Sequence, residues 1–154
     1  MTELSETPVP IRFAAVPAAR ADVLHRAMAR ARAAGASALV AGVETVEQAL
    51  RDADVVVSLA WPAGAGTQTT ALVAMAARIP VIVLESTHTA EWPALDPQTW
   101  TPRGFGSDAP IVVSLDPRDE EHSLVLAIRR LSSDAQLRSR LADAAYAWRE
   151  RQQV

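Results

Sequence analysis

Val55-Val56-Val57-Ser58-Leu59 and Val81-Ile82-Val83-Leu84 are the two stretches that decide the fold. Neither alternates apolar with polar residues, and such continuous runs indicate strands covered on both faces, as in a parallel sheet flanked by helices. Between them lie a glycine turn and a helical pattern whose apolar face comprises Leu72, Met75, Ala76 and Ile79. Strand, helix and strand within about 30 residues predict a βαβ unit with a right-handed crossover.

The neighbouring segments extend this unit in both directions. Further strands are predicted at residues 11–16, 39–41 and 111–115, and the remaining apolar spacing predicts helices at residues 24–31, 46–53, 124–131 and 137–148. Thr45-Val46-Glu47-Gln48 and Ser133-Asp134-Ala135-Gln136 have the residue pattern of capping boxes. We therefore predict a doubly wound, Rossmann-like α/β fold, with a parallel sheet of about five strands and helices on both faces. The last helix either covers the sheet or offers Tyr146 and Trp148 to a partner.

Length and charge restrict the class of protein. At 154 residues the chain fits one domain, predicted over residues 11–154 after a disordered, acidic lead-in at residues 1–10. The net charge is −3 with acids and bases interleaved, which is poorly suited to the phosphate contacts of nucleic-acid binding. No run approaches the ~18–20 apolar residues of a membrane span, and the amino terminus is unlike a signal peptide. We expect a cytoplasmic protein.

Two residue types are absent. Without cysteine the chain has no disulfide, thiolate nucleophile or thiolate metal ligand. All basic residues are arginine, which excludes a Schiff-base lysine and the lysine of a phosphate-binding P-loop. Biased codon usage also explains both absences. No spacing of histidine and carboxylates suggests a metal site, and no cofactor is expected.

Ligands of open parallel sheets bind beyond the carboxyl ends of the strands, where three predicted loops meet. Small residues and free amides make Gly64, Ala65, Gly66 and Thr67 a candidate anion cradle, although a plain tight turn explains the glycines equally well. Arg20 is either an anion ligand or a solvated charge. His88, beside Glu85 and Glu91, is the weak catalytic candidate, with a structural hydrogen bond as the alternative. The segment 85–110 is a long connection without periodicity, which is typical of functional loops or lids. Trp61 and Trp92 either stack on a ligand or pack this segment against the domain.

A series of short motifs runs through the chain in a recognisable order. Residues 52–58 (DADVVVS) are similar to an "aDvfvlpS" strand, and Gly64-Ala65-Gly66 with residues 74–81 (AMAARIPV) resembles "EGFG…EAMAxGxPV". Three later segments also match in order: residues 85–91 are similar to "tdvGGxpE", residues 111–118 to "GLLVPPgD" and residues 131–144 to "LLxDpxLRxrLgxaA". Near the amino terminus, Arg20-Ala21 stands in the place of a Lys-Gly pair. Over residues 11–151 the chain resembles the C-terminal, donor-binding half of retaining GT-B glycosyltransferases, the group 1 family.

The departures from that family fall on its chemistry. Its two donor-binding glutamates correspond to Ala63 and to Val73, or to Ala71 in an ungapped alignment. Its diphosphate-binding Arg and Lys are reduced to Arg20, and the acceptor-binding domain has no counterpart here. The resemblance thus implies a possible nucleotide-sugar or phosphate ligand at Gly64, Ala65, Gly66, Thr67, Arg20 and Glu91, without independent sugar transfer.

Three functions remain open. The first is a glycosyltransferase-like domain without its catalytic carboxylates, acting as a non-catalytic binding or assembly partner with another protein or with itself. The second is one subunit of a split glycosyltransferase that binds a nucleotide-sugar donor. The third is an unrelated α/β enzyme or regulatory module that uses His88.

Overall fold

The computed structural model describes residues 9–59, 65–86, 89–103 and 109–152. Within them the chain forms β1 (Ile11–Val16), α1 (Ala21–Ala33), β2 (Ala38–Gly42), α2 (Val46–Asp52), β3 (Val55–Ser58), α3 (Ala65–Ala76), β4 (Val81–Leu84), β5 (Ala94–Leu95), β6 (Pro102–Arg103), β7 (Val112–Leu115), α4 (Glu120–Ser133) and α5 (Ala135–Gln152). Single 3-10 turns follow β1 and β7, at Ala18–Arg20 and Pro117–Asp119. The lead-in predicted to be disordered lies largely outside the described residues.

The strands form one sheet in the order β2-β1-β3-β4-β7-β5-β6. Each neighbouring pair is parallel except β5 and β6, which are antiparallel. This confirms the doubly wound fold but corrects the predicted number of about five strands. The two additional strands, β5 and β6, have two residues each. Segments this short carry no recognisable period-2 pattern, so the sequence analysis missed them.

Two apolar layers cover the sheet, one on each face. On the first face, Phe13 and Val57 pack with residues of α1 and α4. On the second face, Val56 and Val83 pack with residues of α2 and α3. Helix α5 contributes to both layers, because Leu141 lies in the first and Ala145 in the second. The prediction of helices on both faces is confirmed, and α5 covers the sheet rather than standing free.

The described residues of the segment 85–110 contain more regular structure than the sequence suggests. Strands β5 and β6 form a hairpin within it, and the side-chain amide of Gln98 ties the connecting loop to α4 by donating to Asp119 and Ser123, at 3.3 and 3.2 Å. Trp92 is buried with its ring centre 5.3 Å from that of Trp148. Packing, not ligand stacking, therefore accounts for Trp92; Trp61 lies outside the described residues.

Of the two predicted capping boxes, the first is confirmed and the second is corrected by one residue. At the start of α2, Thr45 accepts from the amide of Gln48, whose side chain in turn accepts from the amide of Thr45, so this box is confirmed. The second was placed one residue too early. Ser133 is the last residue of α4, and Asp134 instead accepts from the amide of Leu137 at 3.0 Å. Among the described residues, no helix is both long and apolar enough to cross a bilayer.

Candidate functional site

The strand order places a topological switch point between β1 and β3. The chain leaves β1 towards β2 on one side and later returns to form β3 on the other. In open α/β sheets the crevice outside the carboxyl ends of such strands is the usual ligand site. We define the β1–β3 crevice by the turn Ala18–Arg20 after β1, Ser58 at the end of β3, and the first turn of α3. Ser58 is aligned with Val16, the last residue of β1, so the carboxyl ends of these two strands are neighbours.

Arg20 stands on the β1 side of the crevice in a partly buried ion pair. Its Nη2 donates to the Oε2 of Glu120 at 2.5 Å, with the two side chains 26% and 20% exposed. Its Nε is buried and forms no hydrogen bond with any residue in the described ranges. Arg20 is therefore not the solvated charge considered as the alternative, and a carboxylate already opposes the charge that it would offer to an anion. What it can still offer a ligand is its remaining N–H groups, that of Nε among them, beside a neutralised charge.

Ser58 stands on the β3 side and was not singled out by the sequence analysis. It lies in register between Val16 and Val83, whose side chains belong to the second face, the one covered by α3. The residue is 1% exposed, yet its Oγ has no hydrogen-bond partner in the part of the chain that the structure describes. Leaving a buried polar group unsatisfied costs about 1–3 kcal/mol, and an acceptor that reached this hydroxyl would remove that cost. The one signal in the sequence is a polar residue inside an otherwise apolar strand.

The amino end of α3 completes the crevice. Because the helix starts at Ala65, the residues Ala65, Gly66 and Thr67 form its first turn and not a preceding loop. This corrects the predicted position of Gly66; Gly64 lies outside the described residues. Amides in the first turn of a helix have no partner within it, and together with the helix dipole they attract anions. Residues 65–67 thus contribute backbone N–H donors from the first turn of a helix of 12 residues.

The other predicted residues do not join this group. His88 lies outside the described residues, and Glu91 is exposed with no hydrogen bond or ion pair to the described part of the chain. The positions that carry a glutamate in the resembling family are apolar here. Ala71 is fully buried in the second layer, and Val73 packs against that layer.

A separate open groove of about 420 Å³ lies at the carboxyl ends of β4 and β7. Its lining includes Glu85 and Asp116, and its one arginine, Arg118, donates to Asp116 at 3.1 Å. The hydrogen bond to this carboxylate raises the pKa of Arg118 above its ordinary value. The groove therefore presents carboxylates and an arginine already paired with one of them.

Comparisons with known proteins give no family assignment. No family model, curated protein or solved structure matches this chain. Nor do the described residues contain a cluster of histidine and carboxylate side chains able to hold a metal ion. The chemistry of the site must be argued from its own geometry.

Proposed function

We propose that this protein is a non-catalytic binding domain that takes a phosphate-bearing ligand in the β1–β3 crevice. From the resemblance to a glycosyltransferase donor domain, the proposal uses only the type of fold and the edge of the sheet at which a ligand binds. It assigns to the chain the recognition of a ligand and not the transfer of a sugar.

One observation carries the proposal: two buried polar groups, one just after β1 and one at the end of β3, have no hydrogen-bond partner among the described residues. The Arg20 Nε–H and the Ser58 hydroxyl can both donate, and the first turn of α3 adds backbone N–H groups. A ligand rich in acceptor oxygens satisfies such a set, and phosphate is the commonest ligand of this kind at helix amino ends. Binding would also remove the cost of leaving both groups unsatisfied.

The same geometry argues against catalysis. Acyl or glycosyl transfer needs charged groups placed where charge develops, and each removed donor or acceptor lowers the rate by orders of magnitude. Neither Ala71 nor Val73 can hold a sugar hydroxyl through its side chain. The charge of Arg20 is neutralised by Glu120, so it is poorly placed to stabilise a departing diphosphate.

Isothermal titration calorimetry with inorganic pyrophosphate and a panel of nucleoside diphosphates tests the proposal. We expect binding to the wild type, and a loss of about tenfold in affinity for Ser58→Ala, because one hydrogen bond to a charged group is removed. Ser132→Ala, far from the carboxyl edge at the end of α4, is the matched control and should bind as the wild type does. Absence of heat with all of these ligands would contradict the proposal.

A second assay separates binding from catalysis. The purified protein, incubated with nucleotide-sugars, should release no nucleoside diphosphate above the buffer blank. Turnover that disappears in Ser58→Ala would replace this proposal with that of an active transferase. Affinity for nucleotide-sugars at least tenfold above that for the free diphosphates would favour a subunit of a split enzyme.

A further inference from the structure

The two edges of the sheet differ in a way that concerns assembly. Exposed edge strands offer unpaired backbone groups to other chains, and monomeric proteins usually protect them with charges, proline or extreme shortness. Strand β6 has all three protections, being the two residues Pro102–Arg103. Strand β2 has five residues, ALVAG, with no charge or proline, and no described strand lies beyond it.

The backbone of β2 is half unpaired. Ser37 accepts from the amide of Ile11, and the amide of Val43 donates to Ala15, so the odd-numbered residues face β1. Backbone groups alternate in direction along a strand, and those of Ala38, Val40 and Gly42 therefore point away from the sheet. These three residues form a ladder without a partner among the described strands.

This ladder is complementary to itself. In an antiparallel pairing with a second copy, centred on Val40, Ala38 lies opposite the partner's Gly42 and Val40 opposite the partner's Val40. Each such pair exchanges two hydrogen bonds. The same register sets Leu39 opposite the partner's Ala41, a large side chain against a small one.

The surface beside the strand supports this pairing. Leu39 is 39% exposed, and Leu39 and Ala41 line an open apolar groove of about 260 Å³ between β2 and α2. The groove leaves room on this face for side chains from a neighbouring strand.

Charge also favours a second copy. The register brings Glu44 level with the partner's Ala36, in the segment that follows the partner's α1. Arg32 lies in the last turn of that helix and is exposed, and its side chain has no hydrogen bond or ion pair within the described residues. The two-fold symmetry would place an opposite charge near each Glu44 and no like charges within the paired strands.

We propose that β2 pairs antiparallel with the β2 strand of a second copy, centred on Val40, to give a two-fold dimer with one continuous sheet. The dimer does not depend on ligand binding in the β1–β3 crevice, which lies at the carboxyl ends of the strands. Either proposal can therefore fail without the other.

Two double variants at exposed positions test both the edge and the register by sedimentation equilibrium. Leu39→Lys with Ala41→Lys places lysine opposite the partner's lysine twice, and should raise the dimer dissociation constant by about tenfold or more. Leu39→Glu with Ala41→Lys alters the same positions but places opposite charges face to face, so its dissociation constant should stay within about threefold of that of the wild type. Circular dichroism checks that both variants remain folded.

Hydrogen exchange of the wild type gives a measurement that needs no variant. The outward amides of Ala38, Val40 and Gly42 should become protected as the protein concentration rises through the dimerisation range. A monomeric wild type, or a dimer in which these amides exchange as freely as in the monomer, would overturn the proposal. It would equally be overturned by two double variants that dimerise alike.

Discussion

The guanidinium carbon of Arg78 lies 4.0 Å from the centre of the Tyr146 ring, and this contact joins the end of α3 to α5. The same guanidinium donates to Asp143 at 3.1 Å. Arg78 has a φ of 59°, the left-handed conformation that normally favours glycine after a helix. Its amide donates to Met75 and that of Ile79 donates to Ala74, which is the Schellman pattern of helix termination. The side chain thus compensates a strained backbone.

Replacing Arg78 separates these two contributions. Arg78→Ala keeps the left-handed strain and loses the contacts, and should destabilise the protein by about 1 kcal/mol. Arg78→Gly loses the same contacts but relieves strain of about 1 kcal/mol, leaving the free energy of unfolding near that of the wild type. Urea unfolding measures both. Equal stability of the two variants would show that the left-handed backbone conformation at residue 78 carries no strain.

Gly42 provides a steric prediction. A Cβ at this position would lie 2.8 Å from the Cβ of Ala21 and 3.3 Å from two atoms of Ala18. Both neighbours are short and held by their backbones, so they cannot rotate away. Gly42→Ala should therefore destabilise the protein by about 1–3 kcal/mol in thermal or urea unfolding. Ala41→Ser, exposed and adjacent, is the control and should change stability by less than about 0.5 kcal/mol.

Two buried serines should respond oppositely to the loss of their hydroxyls. Ser58 and Ser123 are each 1% exposed, but Ser58 has no partner whereas Ser123 accepts from Gln98. Ser58→Ala should leave stability unchanged or raise it by about 1 kcal/mol, because an unsatisfied group is removed. Ser123→Ala should lower it by about 1 kcal/mol, because the Gln98 amide loses an acceptor. Unfolding by urea, without added ligand, compares them; destabilisation by Ser58→Ala would indicate a hidden partner.

Asp134 predicts a pH dependence. The backbone amide of Leu137, followed by the hydrogen bond from Arg130, lowers the pKa of Asp134. Because the pKa is lowered by folding, the ionised Asp134 carboxylate stabilises the folded state. This stabilisation is complete above the unfolded pKa, about 4, and is lost as the pH falls through the folded pKa. Asp134→Ala should cost about 1 kcal/mol at neutral pH through loss of the helix cap.

Asp134→Asn is the matched control for that titration. Its amide oxygen can still cap α5, so stability at neutral pH should fall by less than in the alanine variant. Because asparagine does not ionise, the difference between wild type and Asp134→Asn should shrink below pH 4. A constant difference between pH 7 and pH 2 would mean that the carboxylate charge has no role in the cap.

The layered architecture could be predicted because the patterns that encode it are local. The Val55–Ser58 and Val81–Leu84 strands have continuous apolar runs, and the capping box at Thr45 lies within four consecutive residues. The β5–β6 hairpin could not be predicted, since two-residue strands depend on pairing with distant β7 rather than on their own sequence. Tertiary context likewise decided the last cap, where Asp134 rather than Ser133 turns its side chain to α5.

The candidate site was harder to predict than the fold. The sequence directed attention to the carboxyl edge of the sheet, but it placed residues 65–67 in a loop whereas they begin α3. It could not show that Glu120, 100 residues away along the chain, neutralises Arg20. Nor could it show that Ser58 lacks a partner, since satisfaction of a buried hydroxyl depends on every neighbour that folding brings to it.

Helix α5 has a consequence for the cooperativity of folding. Leu137 and Leu141 complete one layer of the core, while Ala145 and the Trp148 contact complete the other. Because one helix packs against both layers, unfolding of either layer removes contacts of α5 and so destabilises the other layer as well. The protein should therefore unfold in one transition, without a species that retains one face of the sheet and has lost the other.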